Sequence, residues 1–362
     1  MLDYQGALVA YENAVNCFQA KYGDQPHSRL AQSLNNLGVA LRNLGNWELA
    51  KQNYEKALKM LVDLYGDQPD PQIAACLNNL GDILLYLGDL KHAKENLRRA
   101  LEMNYRLYES DPHPYIAASL NNLGKISREL GDLEEAMQYY EDALKMKDRL
   151  YRSQSHPSTA STLSNLGVVL CKLGQLQAAK ERLESALKMY DAFYGIQLPP
   201  AVADCLYNLG MILKLQGQRK ENEQNYPEAK QCYQEAKKCY KKALNLYDTF
   251  YEGQPHPMIA TFLNSLGALS RVRNKFNKAK QYYVKTLEMQ KALHFNRPHL
   301  EVAASLNNLG GVLYKLGQLK EAKQYYKDAV EMLCTLYGNQ PHPNLVEVFN
   351  NLLIVSKDPG QV

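Results

Sequence analysis

Histidine and cysteine are the side chains of this 362-residue chain best suited to hold a metal or act as nucleophiles, and there are eight and seven of them. Their spacing argues against both roles. His27, His113, His156, His256, His299 and His342 stand at one recurring place, a repeat or more apart, so they cannot converge on one ion. Each directly precedes an apolar stretch, often as His-Pro, where a side chain that caps a helix is expected. His92 and His294 stand alone. Cys17, Cys76, Cys171, Cys205, Cys232, Cys239 and Cys334 are odd in number and include no Cys-x-x-Cys, so they form neither a disulfide framework nor a zinc site. Cys232 and Cys239 lie seven residues apart on one expected helix, where packing is the simpler reading. Gly310-Gly311 lies inside a helical phrase, and no GxxxxGK[ST] loop occurs. No Ser-His-Asp or Cys-His set can be placed, and Glu134 and Glu135 read as helix-surface carboxylates. The chain is expected not to be an enzyme and to use no cofactor or metal.

The recurring chemistry is that of amides. The chain reads HSRLAQSLNNLG at 27–38, HPYIAASLNNLG at 113–124 and HLEVAASLNNLG at 299–310. Asparagine is a mediocre helix former, because its amide competes for backbone hydrogen bonds. The second asparagine nevertheless returns as Asn36, Asn79, Asn122, Asn165, Asn208, Asn308 and Asn351, broken only by Ser265. The first is looser: Asn35, Asn78 and Asn121, then Ser164 and Tyr207, then Asn264, Asn307 and Asn350. An amide offers both donors and an acceptor. A row of them can pair with the backbone of an extended peptide whatever its side chains. The competing reading is that they bond neighbouring helices or loop carbonyls.

Two amphipathic helices per unit would position these amides. The phrase L-[NSY]-[NS]-L-G starts at Leu34, Leu77, Leu120, Leu163, Leu206, Leu263 and Leu306, at intervals of 43 residues except one of 57, and FNNLL follows at Phe349. A period of that length means a solenoid or array. Leu34, Leu37, Gly38 and Leu41 share one face of a first helix. Gly45, Gly88, Gly131, Gly174 and Gly317 suit the left-handed residue that ends it. Trp47, Ala50, Tyr54, Ala57 and Leu58 share a face of the second helix, with the alanines allowing close approach. That helix ends near a recurring tyrosine: Tyr65, Tyr108, Tyr151, Tyr194, Tyr251, Tyr337.

Leu34-x2-Leu37-Gly38-x2-Leu41 followed by Ala50-x3-Tyr54 resembles the tetratricopeptide pattern, and the match recurs along essentially the whole chain. The 43-residue unit, longer than the usual one of about 34, is similar to that of kinesin light chains and nephrocystin-like proteins. The resemblance implies an all-α fold, a right-handed superhelical solenoid of antiparallel helix pairs. It also implies that the first helices line a concave groove. Beside the asparagines, the variable groove positions would set specificity: Asp82, Tyr86, Lys125, Arg128, Glu129, Lys172, Lys214, Arg271, Tyr314 and Lys315. More are basic than acidic, which leans toward acidic peptide motifs.

One array over 1–356 is expected: a second-helix half-repeat 1–23, then repeats 24–66, 67–109, 110–152, 153–195, 196–252, 253–295 and 296–338. A lone first helix 339–356 and a tail 357–362 follow. Repeat 196–252 carries 14 extra residues, read as a turn lengthened by QRKENEQ (218–224) and a duplicated heptad, CYQEAKK then CYKKAL. Half-repeats at both ends leave apolar faces to be covered by caps, or by the rest of a longer protein. The stretch 270–285 holds Arg271, Arg273, Lys275, Lys278, Lys280 and Lys285 with no acid, a candidate basic partner site beside the plainer reading of a solvated helix face.

Net charge is +4, from 42 basic and 38 acidic residues, which is too balanced to point to nucleic acid or a membrane surface. No signal peptide and no apolar run of about 18 residues is present, so a cytoplasmic protein is expected. The expected function is a protein-binding scaffold or adaptor gripping an extended peptide. One alternative is the regulatory or cargo-binding arm of a larger adaptor or signalling ATPase. A third reading, an RNA-binding solenoid, fits the charge balance poorly.

Overall fold

The computed structural model describes residues 4–357 except 24, 67, 110, 197, 339 and 341, with Tyr4 described by its backbone alone. The described residues form sixteen α-helices and no strand. The chain divides into two compact units, residues 1–193 and 194–362. The first begins with α1 (Tyr4–Tyr22). It continues through the pairs α2 (Ser28–Asn43) and α3 (Trp47–Tyr65), α4 (Pro71–Tyr86) and α5 (Leu90–Tyr108), α6 (Pro114–Leu130) and α7 (Leu133–Tyr151), then α8 (Pro157–Lys172) and α9 (Leu176–Tyr194). The second holds α10 (Pro200–Asn222) and α11 (Tyr226–Phe250), α12 (Pro257–Val272) and α13 (Phe276–Leu293), α14 (Leu300–Lys315) and α15 (Leu319–Tyr337), and α16 (Pro343–Lys357). The expected tail, 357–362, lies outside the described residues apart from Lys357, which closes α16.

First helices that follow a His or Asp link start on a cap built from it, while α10, which follows Pro199, has no side-chain cap. The Nδ1 atoms of His27, His113, His156, His256, His299 and His342 each accept the backbone N–H two residues on, at 3.1–3.3 Å. In the one link with aspartate, Asp70 Oδ1 accepts from Gln72 and Ile73. Burial holds His113, His156 and His256 below the usual imidazole value, which keeps Nδ1 unprotonated and able to accept. The recurring tyrosine stacks on the same histidine. Ring centroids lie 3.4 Å apart for Tyr108 and His113, 3.8 Å for Tyr151 and His156, and 3.8 Å for Tyr337 and His342. Where both residues are present, tyrosine and histidine thus fasten a second helix to the start of the next repeat.

The core follows the expected faces. Leu30, Leu34, Leu37 and Leu41 bury against Ala50, Tyr54, Ala57 and Leu61, and the same columns recur in later repeats. Trp47 departs from expectation: it is 43% exposed and stacks on Tyr86 at 5.6 Å instead of entering the core. The glycine of LNNLG has a tertiary cause. A Cβ on Gly124 would lie 2.8 Å from the Tyr140 ring, and Gly38, Gly267 and Gly310 face Tyr54, Tyr283 and Tyr326 in the same way. An aromatic ring presses on the helix backbone, and only glycine leaves room.

The 14 extra residues lengthen both helices of their pair. Residues 218–222, expected in a longer turn, continue α10, and the turn to α11 remains three residues, 223–225. Gly217 lies seven residues after Gly210, and Tyr233 seven before Tyr240. Gly210 faces Tyr240 and Gly217 faces Tyr233. The heptad is duplicated on both strands of the hairpin, so the glycine–tyrosine contact is made twice and the facing is kept.

A half-buried amide row on the first helices

First helices of adjacent repeats touch one another, α2 with α4, α4 with α6 and α6 with α8 in the first unit, and α14 with α16 in the second. This brings equivalent first-helix residues side by side. All seven second asparagines, Asn36, Asn79, Asn122, Asn165, Asn208, Asn308 and Asn351, are half-buried, as a surface row between core and solvent should be.

The first asparagine ties repeats together. Asn35 Oδ1 accepts from Asn79 Nδ2 (3.0 Å) and from Cys76 Sγ (3.4 Å). Asn264 Oδ1 accepts from Asn308 Nδ2 (3.1 Å), and Asn307 Oδ1 from Asn351 Nδ2 (3.0 Å). Asn78 Oδ1 accepts from Ser119 (3.3 Å) and Asn121 Oδ1 from Thr162 (2.9 Å). These bonds orient Asn79, Asn308 and Asn351 while leaving each Oδ1 outside the bond. The side chains of Asn36, Asn122, Asn165 and Asn208 make no hydrogen bond among the described residues. The reading that the repeated amides bond neighbouring helices therefore holds at Asn35, Asn78, Asn121, Asn264 and Asn307.

Several expected specificity residues are paired within the chain. Asp82 lies 3.0 Å from Arg42 Nη1 and 4.0 Å from Lys125 Nζ, which bridges three successive first helices. Arg42 was missed in the sequence, although it shares a repeat column with Arg128, Lys214 and Arg271. Arg128 donates to its neighbour Glu129 at 2.6 Å. Tyr86 is 54% exposed against Trp47. Lys172 and Lys315 are exposed, and Lys315 Nζ lies 5.9 Å from the Tyr314 ring centre. In the second unit a cleft of about 520 Å³ collects Asn308, Asn351, Arg271, Lys315, Tyr314 and Glu347. Burial first, and then Arg271, hold Lys214 below the usual lysine value.

Models described as "Tetratricopeptide repeat" match this chain at residues 29–106 and 158–229, and at 116–158, 202–257 and 302–344. The chain belongs to the tetratricopeptide repeat family. Solved structures share the fold. BtubC (BKLC) from P. vanneervenii superposes with a TM-score of 0.52 at 22% identity, covering 71% of this chain and 96% of that one. The apo form of RapI gives 0.54 at 16% identity, covering 81% and 93%. PilW, a type IV pilus biogenesis factor, gives 0.54 at 17%, covering 77% and 100%. No curated protein matches the chain. A tetratricopeptide array is a protein-interaction scaffold and typically a non-enzymatic one. No helix among the described residues is long and apolar enough to cross a membrane.

In both units the second helices bury one repeat position that the sequence pattern did not single out. It reads Leu61, Asn104, Lys147, Tyr190, Tyr247, Gln290 and Leu333, all buried. Asn104, 1% exposed, lines a cleft of about 210 Å³ with Asn35, Asn78, Asn79 and Tyr115, and its Oδ1 has no partner among the described residues. Lys147, 4% exposed, donates to Ser158 O (2.8 Å) and to Thr162 Oγ1, which reaches Asn121. Burial, with Lys125 adding repulsion, lowers its ammonium to about 8. The available signal was Asn104, Lys147 and Gln290 at a repeat position that is leucine or tyrosine elsewhere.

The remaining candidates separate. Arg271 lines the cleft, while Lys280 bonds Gln318 (3.0 Å) and Glu321 (3.3 Å). His294 is not isolated. It takes the place of the recurring tyrosine and stacks on His299 at 3.4 Å, with Nε2 3.6 Å from Glu301. These three are the only trio of potential metal ligands within reach of one another among the described residues. Nearly parallel rings do not aim two lone pairs at one ion, and His299 Nδ1 is spent on its cap.

Proposed function

We propose that the chain is an interaction scaffold whose first helices hold an extended, acid-bearing segment of a partner protein. The observation that carries this is the row of half-buried second asparagines, several without an internal partner, on helices that touch. Amides at such spacing can pair with a peptide backbone irrespective of its side chains. Cations support the acidic preference: Arg271 and Lys315 line the second-unit cleft without a salt bridge among the described residues, and Lys214 lies near Arg271. A reducing, cytoplasmic setting accords with seven cysteines that form no disulfide.

Peptide-display selection on the whole chain tests this, with Asn122→Ala/Asn165→Ala as the control. Enriched linear peptides that lose binding to the variant, with helicity unchanged, are expected. No enrichment, or equal binding to both proteins, would leave the row as a purely structural fastening.

A further inference from the structure

At one column of the second helices, a lysine reaches across to the start of the second helix in the next repeat. Lys94 on α5 donates to Asp132 Oδ2 at 3.1 Å and to Glu135, which lie 38 and 41 residues further on. Lys280 on α13 does the same with Gln318 and Glu321, again 38 and 41 residues on. Lys237 on α11 occupies this column, and the residues at those two offsets are Lys275 and Lys278. Where the other repeats supply acceptors, this one supplies two more cations. Lys241, one turn along α11, and Arg273, in the turn before α13, add theirs. Burial first, then the charges of Lys241, Lys278, Lys275 and Arg273, hold the Lys237 ammonium below its usual value. None of the five has an anionic partner among the described residues. Asp132 and Glu135 beside Lys94, and Glu321 beside Lys280, show that this repeat position can carry carboxylates, so the inversion lies in the side chains.

We propose that this five-cation surface on α11, α13 and the turn between α12 and α13 is a second docking site, occupied by an acidic segment of a partner protein. That segment presents two carboxylates about one helical turn apart, which face Lys237 from outside and are bracketed by Lys275 and Lys278. The spacing favours carboxylates carried on a polypeptide, because it reproduces a pairing this chain already makes with itself. A net charge of +4 gives little of the long-range field on which nucleic-acid binding relies. The site lies on second helices and is independent of the amide row.

The test uses the full chain and a labelled peptide made of three copies of Asp-Ala-Ala-Glu, with an Asn/Gln version as control and fluorescence anisotropy as readout. Binding of the acidic peptide alone is expected, weakening as salt rises. Lys275→Asp/Lys278→Glu should weaken it by about tenfold or more, since two attractions become repulsions. The same variant should melt higher than the parent, because Lys237 then gains the partners Lys94 has. Lys56→Asp, an exposed charge change on α3 outside both proposed sites, should bind the peptide as the parent does. Equal binding of both peptides, or binding unchanged by the charge swap, would overturn the proposal. So would a single-stranded RNA that binds more tightly at the same salt and is lost in the same variant.

Discussion

Replacing Lys147 by methionine should change how stability depends on pH. The ammonium is buried between α7 and α8, with Ser158 O and Thr162 Oγ1 as acceptors and no carboxylate. Its folded value is about 8 against an ordinary 10.5. Between those two values the unfolded chain holds a proton that the folded chain has released. Stability therefore rises with pH across that window, and the full penalty is present below pH 8. A gap of that size corresponds to about 3 kcal/mol at ~1.4 kcal/mol per pH unit. Methionine fills similar space without a charge. It orphans little, since Ser158 O also accepts from Thr162 Oγ1 and that hydroxyl also reaches Asn121. Urea unfolding followed by helicity, run for both proteins at several pH values from 7 to 10.5, isolates the effect as a difference, because the tyrosines and other lysines are common to both. The variant should gain on the parent by up to about 3 kcal/mol at pH 7 relative to pH 10.5. A difference that stays flat across this range would show that Lys147 titrates normally and that its burial is relieved in solution.

Gly124→Ala places a methyl group 2.8 Å from the Tyr140 ring and should destabilise by ~1–3 kcal/mol, read as a lower melting temperature. Ala136→Leu, at a fully buried contact, should cost a similar ~1–3 kcal/mol, and unchanged melting would refute close packing there. Gln224 holds φ at +58° in the turn between α10 and α11, where most other repeats use glycine. Gln224→Gly should therefore stabilise by roughly 0.5–1 kcal/mol, visible in the urea midpoint.

The periodic leucines, the alanines of the second helix, the turn glycines and the His-Pro links determined the helix pairs, their caps and the stacking. Each is a local preference repeated until only an array satisfies it. The sequence also placed the second asparagines on a face apart from the leucines. Tertiary structure decided the rest, because it depends on what the neighbouring repeat contributes. Asn35 and Asn307 act as acceptors for the next repeat, and Asp82 is consumed by Arg42 and Lys125 from both sides. Trp47 lies outside the core, against Tyr86 of the following repeat, despite its place on an apolar face. Residues 218–222 stay helical although polar, because Gly217 and Tyr233 repeat the contact of Gly210 and Tyr240 and hold the hairpin together two turns longer. His294 meets His299 only because it falls where a tyrosine normally stacks. Helical periodicity is encoded within a dozen residues and can be read there. Pairing across about 40 residues depends on stacking geometry, and a single unaligned sequence does not display which side chains that geometry brings together.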